Sequence, residues 1–325
     1  MKEKIKWGIL GLGKIATKFA QDLQLSDTSI LQGVASRDLV KAQEFGEKFS
    51  AVRHYGSYEA LADDPDVDAI YIATPHVFHF ENTMMCLKHG KAVLCEKPMG
   101  INTLQVQAMV EEARSRNLFL MEGMWTRFIP ATEKLMELQV SKAIGDVQYL
   151  TADFGFKAPY DPEGRLFNKQ LGGGSLLDVG IYPIYLSLLT LGVPKDIKAM
   201  ARMTDTGVDG YCSMLLDYDN RAQANLASSI LADTPVEAFI YGSEGKIKVH
   251  RSFHHSNKVS VYKSGNEEVF EIPYQGNGYY HEIEAVNGCL ANGDTESSKF
   301  PLQSSLNLMA IIDQVKKEIG LEYKG

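Results

Sequence analysis

Short apolar runs alternate with longer amphipathic stretches through the first third of the chain. The runs predict strands, and the stretches between them, in which apolar residues recur at helical spacing, predict helices. The predicted strands cover residues 5–10, 31–35, 69–73, 92–95 and 118–121, and the predicted helices cover 17–24, 39–49, 78–89 and 103–116. Strands and helices that alternate in units of this length indicate parallel βαβ crossovers and a doubly wound parallel sheet.

The pattern changes from Val147 onward, where strands follow one another with few helices between them. Short turns such as Asp219-Asn220 join several of them, which favours a large, mainly antiparallel sheet. The predicted strands are 147–156, 197–203, 211–218, 221–229, 237–241, 246–250, 258–262 and 269–272, and the predicted helices are 176–191, 280–291 and 302–318. We therefore expect an α/β protein with a doubly wound domain over residues 1–122 and an α+β domain over residues 123–325.

Three helices are enough to cover one face of the second sheet, which leaves its other face open. We expect this open face to present a mixed surface that includes Met200, Met203 and Met214. Broad exposed sheet faces are commonly association surfaces. The pattern predicts a homodimer, or a dimer of dimers, that forms through the open sheet.

The composition narrows the choice of partners. Lys plus Arg number 33 against 41 Asp plus Glu, and the formal charge of -8 would repel nucleic acid. No run reaches about 18 uninterrupted apolar residues, and the start MKEKIKWGIL lacks the apolar segment of a signal peptide. We expect no membrane partner and a cytoplasmic location. The four scattered cysteines suit neither a zinc site nor a disulfide framework.

A glycine-rich motif follows the first predicted strand and leads into the first helix. It has the pattern G-x-G-x-x-A and runs Gly11-Leu12-Gly13-Lys14-Ile15-Ala16. In this setting the first glycine allows a tight turn, the second lets a pyrophosphate approach the backbone, and the small last residue keeps the helix close to the strand. The motif predicts a dinucleotide site. The alternative is a plain glycine turn between two elements.

The residues after the second strand bear on the choice of dinucleotide. Ser36, Arg37 and Lys41 suit the 2′-phosphate of NADP, whereas Asp38 could hold the ribose 2′-hydroxyl of NAD. Ser36 or Asp38 could equally cap the next helix while Arg37 is solvated. We predict NADP, with NAD as the alternative.

Polar residues also follow two later strands, at the edge of a doubly wound sheet where ligands bind. Thr74, His76 and His79 follow one of these strands, and Glu96 and Lys97 follow the next. Two histidines three residues apart could bind a metal, but no further ligand falls at a suitable spacing, so we predict no metal. Lys97, at the end of a central strand, is predicted to face the cofactor crevice.

A second glycine-rich stretch, GGGSLLDVGIYPIYL, begins at Gly172 and carries Asp178 and Tyr182. These two residues stand four apart in a predicted helix, so their side chains would project from one face. Helix capping by Asp178 and core packing by Tyr182 are the alternatives. Alcohol oxidation needs a base at the hydroxyl, and a free tyrosine, with a pKa of about 10, needs a nearby ammonium to serve as one.

In this order and spacing the motifs resemble the Gfo/Idh/MocA oxidoreductase family over essentially the whole chain. The resemblance rests on the glycine loop, Thr74-Pro75 with His79, Glu96-Lys97-Pro98, Trp125-Thr126-Arg127 and the GGGSLLDVGIY stretch. It implies a Rossmann domain followed by a substrate domain, and it is strongest for the branch with dimeric dihydrodiol dehydrogenase and NADP-dependent D-xylose dehydrogenase. Inositol-dehydrogenase-like members carry histidine where Tyr182 stands, which argues against an inositol substrate.

The resemblance implies hydride transfer between a nicotinamide cofactor and a secondary hydroxyl or carbonyl of a sugar or trans-dihydrodiol. We predict that Tyr182 is the general acid/base, that Lys97 lowers its pKa, and that Asp178 fixes a second hydroxyl or orients Lys97. Either Tyr182 or Lys97 could be the principal acid/base. The expected substrate pocket contains His76, Trp125 and Phe154. The expected cofactor contacts are Gly11, Leu12, Gly13, Lys14, Ile15, Ser36, Arg37, Lys41, Thr74, His79, Glu96, Lys97, Trp125 and Arg127.

Two other functions stay open at this point. One is a non-catalytic NAD(P)-binding sensor, because a cofactor fold alone does not establish activity. The other is a reductase of anhydro-sugar or dicarbonyl substrates, which uses the same chemistry in reverse. The presence of both Lys97 and Tyr182 favours an enzyme.

Overall fold

The computed structural model describes residues 4–323, which form two compact units. The first unit comprises Met1–Phe128 and Tyr274–Leu306, and the second comprises Ile129–Pro273 and Asn307–Gly325. The sequence predicted a single boundary between residues 122 and 123. The structure divides the chain differently, because residues 274–306 return to the first unit.

The return of the chain is held by polar contacts, buried or partly buried, within the first unit. The Asp22 carboxylate accepts the backbone N–H of Asn277 at 2.8 Å and that of Tyr280 at 3.1 Å. Trp7 Nε1 donates to Asn287 Oδ1 at 2.9 Å. These partners lie more than 250 residues apart in sequence, so local patterns could not reveal them.

The elements follow the predicted order along the chain. The strands are β1 Ile5–Leu10, β2 Ser29–Ala35, β3 Arg53–Tyr55, β4 Ala69–Ile72, β5 Ala92–Glu96, β6 Leu120–Gly123, β7 Val147–Gly155, β8 Asp196–Met203, β9 Asp209–Asp217, β10 Gln223–Ser229, β11 Ala238–Gly242, β12 Gly245–Val249, β13 Lys258–Lys263 and β14 Asn266–Glu271. The helices are α1 Lys14–Leu23, α2 Leu39–Phe49, α3 Tyr58–Ala62, α4 His79–Lys88, α5 Thr103–Arg116, α6 Pro130–Val140, α7 Ile181–Leu191, α8 Tyr279–Asn292 and α9 Leu302–Glu318.

The first unit contains a six-stranded sheet in the order β3-β2-β1-β4-β5-β6. Every pair in it is parallel, which confirms the predicted doubly wound sheet. β4 is buried along its whole length, as expected of a central strand that is covered on both faces. The sequence did not predict β3 or α3, because elements of three and five residues are too short for a periodic pattern.

The second unit contains an eight-stranded sheet in the order β14-β13-β12-β11-β7-β10-β9-β8. Its pairs are antiparallel except for β7 with β10, which confirms a mainly antiparallel sheet. Burial alternates along β9, so one face of this strand is buried and the other is in contact with solvent.

The open face of this sheet holds Met200, which is 80% exposed. Met203 is 38% exposed, but it pairs with the buried Asp209 and stands three positions after Met200, so its side chain points to the other face. The prediction for Met214 was wrong, because this residue is 1% exposed. Met214 pairs with Ala199 and Leu226, and it points to the buried face, whereas its neighbours Ser213 and Leu215 point to the open one.

One helical stretch, Lys169–Leu191, is long and apolar enough to cross a membrane by length and composition. Within the fold, 78% of its most apolar window is buried. The protein itself therefore covers the apolar surface of this stretch, as is usual for a core helix.

Candidate active site

The glycine motif forms a turn that only glycine fits at its first position. Gly11 follows β1 with φ +89°, and a Cβ at this position would lie 2.9 Å from Thr74 Cγ2. Gly13 precedes α1 and has open space in place of a side chain, with no atom of the described residues within 4 Å. Leu12, Lys14 and Ile15 are half-exposed or exposed around this turn.

Helix α1 begins at Lys14, directly after the turn and three residues before the predicted start. The N–H groups of its first turn have no partner within the helix, and the positive end of the helix dipole lies at the same place. This arrangement fits the pyrophosphate of a dinucleotide.

The end of β2 carries the residues that were predicted to select the cofactor. Asp38 Oδ1 accepts the backbone N–H of Val40 at 3.0 Å and that of Lys41 at 3.4 Å, so this carboxylate caps α2. Arg37 and Lys41 are exposed beside it. Ser36 Oγ accepts the Asp38 N–H at 3.2 Å. Asp38 therefore caps the helix, as the alternative prediction had it, and the exposed cations Arg37 and Lys41 lie next to it.

His79 connects the ends of two neighbouring strands. Its Nδ1 lies 2.7 Å from the carbonyl oxygen of Pro98, and its Nε2 lies 2.7 Å from that of Thr74. The ring is completely buried, and this burial, together with the charge of Lys97, lowers the pKa of His79. Both ring nitrogens lie within hydrogen-bond distance of a backbone carbonyl oxygen, and the neutral ring, which has one N–H, donates to one of the two. His79 therefore lies between the two strand ends.

Lys97 is half-buried at the end of β5, among acidic side chains. Glu96 accepts a hydrogen bond from the Tyr71 hydroxyl and another from the Lys97 N–H, the latter at 3.2 Å. Glu122 Oε1 accepts the Met99 N–H at 2.9 Å. Burial raises the pKa of Glu122 to about 7, an effect that the Lys97 charge opposes. The backbone on both sides of Lys97 is thus fixed by buried carboxyl groups.

The remaining predicted residues of the first unit lie in short turns. Trp125 stacks on Tyr279, with ring centroids 4.8 Å apart and ring planes inclined by 3°. Arg127 Nε donates to the Lys299 carbonyl at 3.0 Å. His76 is buried, and its ring lies 5.8 Å from that of His79. Trp125 and His76 are therefore fixed in orientation by aromatic neighbours.

In the second unit, Asp178 and Tyr182 lie on one continuous helical segment. The segment begins as a π-helix over Leu176–Gly180 and continues as α7. Short π-helical turns are rare and occur frequently at functional sites. Asp178 is 8% exposed and Tyr182 is 6% exposed.

Tyr182 belongs to an aromatic cluster. The rings of Phe154 and His254 lie 5.6 Å and 4.8 Å from that of Tyr182. Phe154 and His254 also stack on each other at 4.3 Å. The structure therefore brings together Tyr182 and Phe154, which the sequence singled out, with His254, which it did not.

Asp178 is ion-paired within its own unit. Arg165 Nη1 donates to Asp178 Oδ1 at 2.6 Å. The sequence offered a substrate hydroxyl or Lys97 as the partner of Asp178, and Arg165 was missed. It lies in an irregular segment after β7, where no periodic pattern marks it.

Asp209, at the start of β9, is a further residue that the sequence did not indicate. Its Oδ2 accepts the Leu176 N–H and the Ser175 hydroxyl, both at 2.7 Å. Ser175 and Leu176 begin the segment that carries Asp178 and Tyr182. A buried carboxylate from another element therefore holds the start of this segment in place.

Comparisons with known proteins agree with this description. Residues 5–124 match the family model described as "Oxidoreductase family, NAD-binding Rossmann fold". Residues 132–248 match the model of the "GFO/IDH/MocA C-terminal domain". A trans-1,2-dihydrobenzene-1,2-diol dehydrogenase from Xenopus tropicalis is 38% identical and covers 98% of this chain and 99% of its own. The enzyme of that name from Homo sapiens is 37% identical, with 98% of both chains covered.

Two solved structures share the fold over nearly the whole chain. One is a 3-ketoreductase from Actinomadura kijaniata in complex with NADP and TDP-benzene, with a TM-score of 0.88, 26% identity and 98% of both chains covered. The other is an aldose-aldose oxidoreductase from Caulobacter crescentus complexed with glycerol, with a TM-score of 0.89, 25% identity and 97% of both chains covered.

Proposed function

Because this chain belongs to the Gfo/Idh/MocA family of oxidoreductases, we propose that it oxidises a secondary hydroxyl of a sugar or a trans-dihydrodiol with NADP. It is an NAD(P)-binding oxidoreductase, a dehydrogenase that acts on hydroxyl groups. The observation that carries the finer proposal is Tyr182, held in an aromatic cluster one turn after the ion-paired Asp178.

The cofactor assignment is supported by the first unit. The turn at Gly11 and Gly13 and the start of α1 would hold the pyrophosphate, and Arg37 and Lys41 would pair with a 2′-phosphate. Asp38, which an NAD site would use for the ribose, is engaged in capping α2. The structural relative from Actinomadura kijaniata contains NADP. When bound, the nicotinamide supplies the hydride acceptor.

In this proposal Tyr182 is the general acid/base that takes the proton of the reacting hydroxyl. Asp178 lies one turn earlier on the same helical segment, and its partner Arg165 donates to it from a neighbouring loop. We assign Lys97 to this reaction as well, as a second residue that can donate or accept the proton. The cluster of Phe154 and His254 excludes water from one side of Tyr182, which strengthens polar interactions at its hydroxyl.

Reduction of a carbonyl substrate is the second candidate, and one finding favours it. The structural relative from Actinomadura kijaniata is a 3-ketoreductase. The same residues would then deliver a proton to the carbonyl oxygen. Because the reaction is reversible, substrate and cofactor concentrations decide its direction.

A cofactor and substrate screen tests this proposal. The purified protein is assayed for NADPH and NADH formation with aldoses, polyols and trans-dihydrodiols, and for NADPH oxidation with dicarbonyls and anhydro-sugars. We expect NADP to be preferred and turnover with at least one hydroxylated substrate. A protein that binds NADP but turns over none of these compounds would instead support the sensor.

We also propose that the open face of the second sheet joins two copies of the chain. Met200, Leu215 and Tyr211 share this face and are 80%, 45% and 39% exposed. Apolar groups that stand together on a sheet face gain free energy when a partner covers them. The cytoplasmic location stays a prediction from the sequence.

A further inference from the structure

The loop that carries Arg165 is anchored to the body of the second unit. Phe167, two residues further on, is 1% exposed and packs with Ala158 and Ile230. The Gly164 N–H donates to the Asp161 carbonyl at 3.0 Å, and the Phe167 N–H donates to the Gly164 carbonyl at 3.1 Å. Although Arg165 itself is exposed, its backbone therefore has a defined position.

The glycine-rich turn fixes this loop against the segment that carries Asp178. The Gly174 N–H donates to the Leu166 carbonyl at 2.8 Å, and the Gly173 N–H donates to the Asn168 carbonyl at 3.1 Å. A Cβ on Gly173 would lie 2.7 Å from the Leu166 oxygen and 2.8 Å from the Arg165 oxygen. The glycines are thus needed for a close approach of two backbones, and this approach places Arg165 beside Asp178.

The ion pair leaves most of the Arg165 guanidinium available. One N–H of Arg165 donates to Asp178 Oδ1 at 2.6 Å. The side chain of Arg165 is 46% exposed, whereas that of Asp178 is 11% exposed. Across the described range 4–323, Asp178 is the one hydrogen-bond partner that we find for this guanidinium. An arginine side chain has five N–H donors in a rigid fork, so further donors face the solvent.

A carboxylate beside an open guanidinium offers an acceptor and several donors at one place. A hydroxyl group, which both donates and accepts, satisfies such a pair well. Asp178 stands one turn before Tyr182, so this pair would hold a hydroxyl while Tyr182 takes the proton of another. The geometry therefore favours substrates with two neighbouring hydroxyl groups, a chemistry that sugars and trans-dihydrodiols share.

We propose that Arg165 is a specificity-determining residue, which together with Asp178 binds the hydroxyl adjacent to the carbon that is oxidised. The protein then selects vicinal diols over alcohols with a single hydroxyl. This inference rests on the proposed function, since it concerns the substrate of that same reaction.

The test compares matched substrates in wild type and in Arg165→Met. The pairs are trans-cyclohexane-1,2-diol with cyclohexanol, and D-xylose with its 2-deoxy analogue, each assayed for kcat/KM with NADP. We expect Arg165→Met to lower kcat/KM for the vicinal diols by about 10- to 100-fold, the value of one hydrogen bond to a charged group. Activity on the compounds without the neighbouring hydroxyl should change by less than about threefold. The substrate pair for which the variant loses selectivity shows whether the protein acts on a sugar or on a cyclic diol.

Two further variants keep the test decisive. Arg165→Lys retains the charge beside the buried Asp178, so the unit should fold normally while the fork of donors is lost. Its kcat/KM for the vicinal diols should fall selectively as well, but by a smaller factor than in Arg165→Met. Lys142→Met removes the cation of another exposed ion pair of the same unit, that with Asp146, and should leave the activity on all four substrates unchanged.

An equal loss on both members of a pair would overturn the inference, because it would make Arg165 a purely structural residue. Unchanged selectivity in Arg165→Met would overturn it as well. Wild type that oxidises none of the four compounds, nor any other in the screen, would contradict the proposed function itself and this inference with it.

Discussion

Asp209 shows what a single buried carboxyl group contributes at the scale of a residue. Burial raises the pKa of Asp209 to about 7, although the hydrogen bonds from Ser175 and Leu176 lower it. An unfolded aspartate has a pKa of about 3.9. Between these values the folded state binds the proton that the unfolded state has lost, so this group makes the free energy of unfolding fall as the pH rises. Below both pKa values its contribution is fully present.

Replacing Asp209 by asparagine should remove this pH dependence. Asn keeps an acceptor oxygen for Ser175 and Leu176 but cannot carry the charge. We expect the difference in melting temperature, Asp209→Asn minus wild type, to be larger at pH 8 than at pH 5. The limiting slope for one group is about 1.4 kcal/mol per pH unit. Thermal unfolding followed by circular dichroism at both pH values measures it.

The control for this measurement is Ser213→Ala, on the same strand and half-buried. It changes no ionisable group, so its difference from wild type should not depend on pH. A difference for Asp209→Asn that is the same at pH 5 and pH 8 would contradict the assignment.

At this scale, the sequence could predict residues whose chemistry belongs to a motif. Lys97, Asp178 and Tyr182 were proposed because they follow a strand end or share a helix face. Arg165, Asp209 and His254 were missed because each acts on a partner from another element. His254 follows no motif, and only its stacking on Phe154 distinguishes it.

At the scale of elements, the turn Gly172-Gly173-Gly174 connects an irregular loop to a buried helix. The third glycine has φ +113°, and a Cβ on it would lie 2.2 Å from Asp209 Oδ1. The second lies against three backbone carbonyl oxygens. The turn therefore determines where the Arg165 loop and the Asp178 segment meet.

Adding one methyl group to this turn should be costly. In Gly173→Ala the new Cβ would meet the carbonyl oxygens of Leu166, Arg165 and Asn168 at 2.7, 2.8 and 2.9 Å, and backbone atoms cannot move aside cheaply. We expect a loss of about 2 kcal/mol or more in the free energy of unfolding, with reduced turnover. Urea denaturation monitored by fluorescence measures the loss.

Gly288→Ala is the matched control, since Gly288 lies inside α8 with no described atom within 4 Å of the added Cβ. Alanine is the better helix former, so this variant should be unchanged or more stable by up to about 1 kcal/mol. If Gly173→Ala is as stable as Gly288→Ala, the close approach is not required.

Element prediction succeeded where the apolar pattern was long and its ends were marked. α2, α5 and α9 have the predicted limits, and Asp38 and Asn102 cap the first two. The start of α1 was placed three residues late because its first turn belongs to the glycine motif and lacks an apolar stripe. β3 and α3 were not predicted because they are too short to show a periodic pattern.

At the scale of the whole molecule, the exposed side of the eight-stranded sheet is the most informative surface. Alternation along β8 and β9 directs Met200 and Leu215 outward, while the neighbouring Met214 is buried. The sequence alone did not separate these residues, because the register of the strands decides which face each one joins. The return of residues 274–306 to the first unit also depends on distant contacts.

A charge on the open face should separate the proposed dimer. In Met200→Lys an ammonium replaces the thioether of a residue that is 80% exposed, and burying it in an interface would carry a large desolvation cost. We expect wild type to be dimeric and the variant monomeric by light scattering coupled to size exclusion at micromolar concentration.

Val140→Lys is the control, because Val140 is 84% exposed at the end of α6, and this helix contacts β13, near the edge of the sheet opposite to β8. It should stay dimeric. Monomeric wild type, or a Met200→Lys variant that remains a dimer, would refute the proposed interface.

The most direct test of the central claim is NADPH formation by the Tyr182→Phe variant on the best substrate from the screen. Removing the phenolic hydroxyl should lower kcat by about 10² or more, because the reacting hydroxyl loses its base, while the Kd for NADP stays within about twofold. Tyr218→Phe, another buried tyrosine of the second unit, should retain wild-type turnover. Wild-type turnover in Tyr182→Phe would contradict the account.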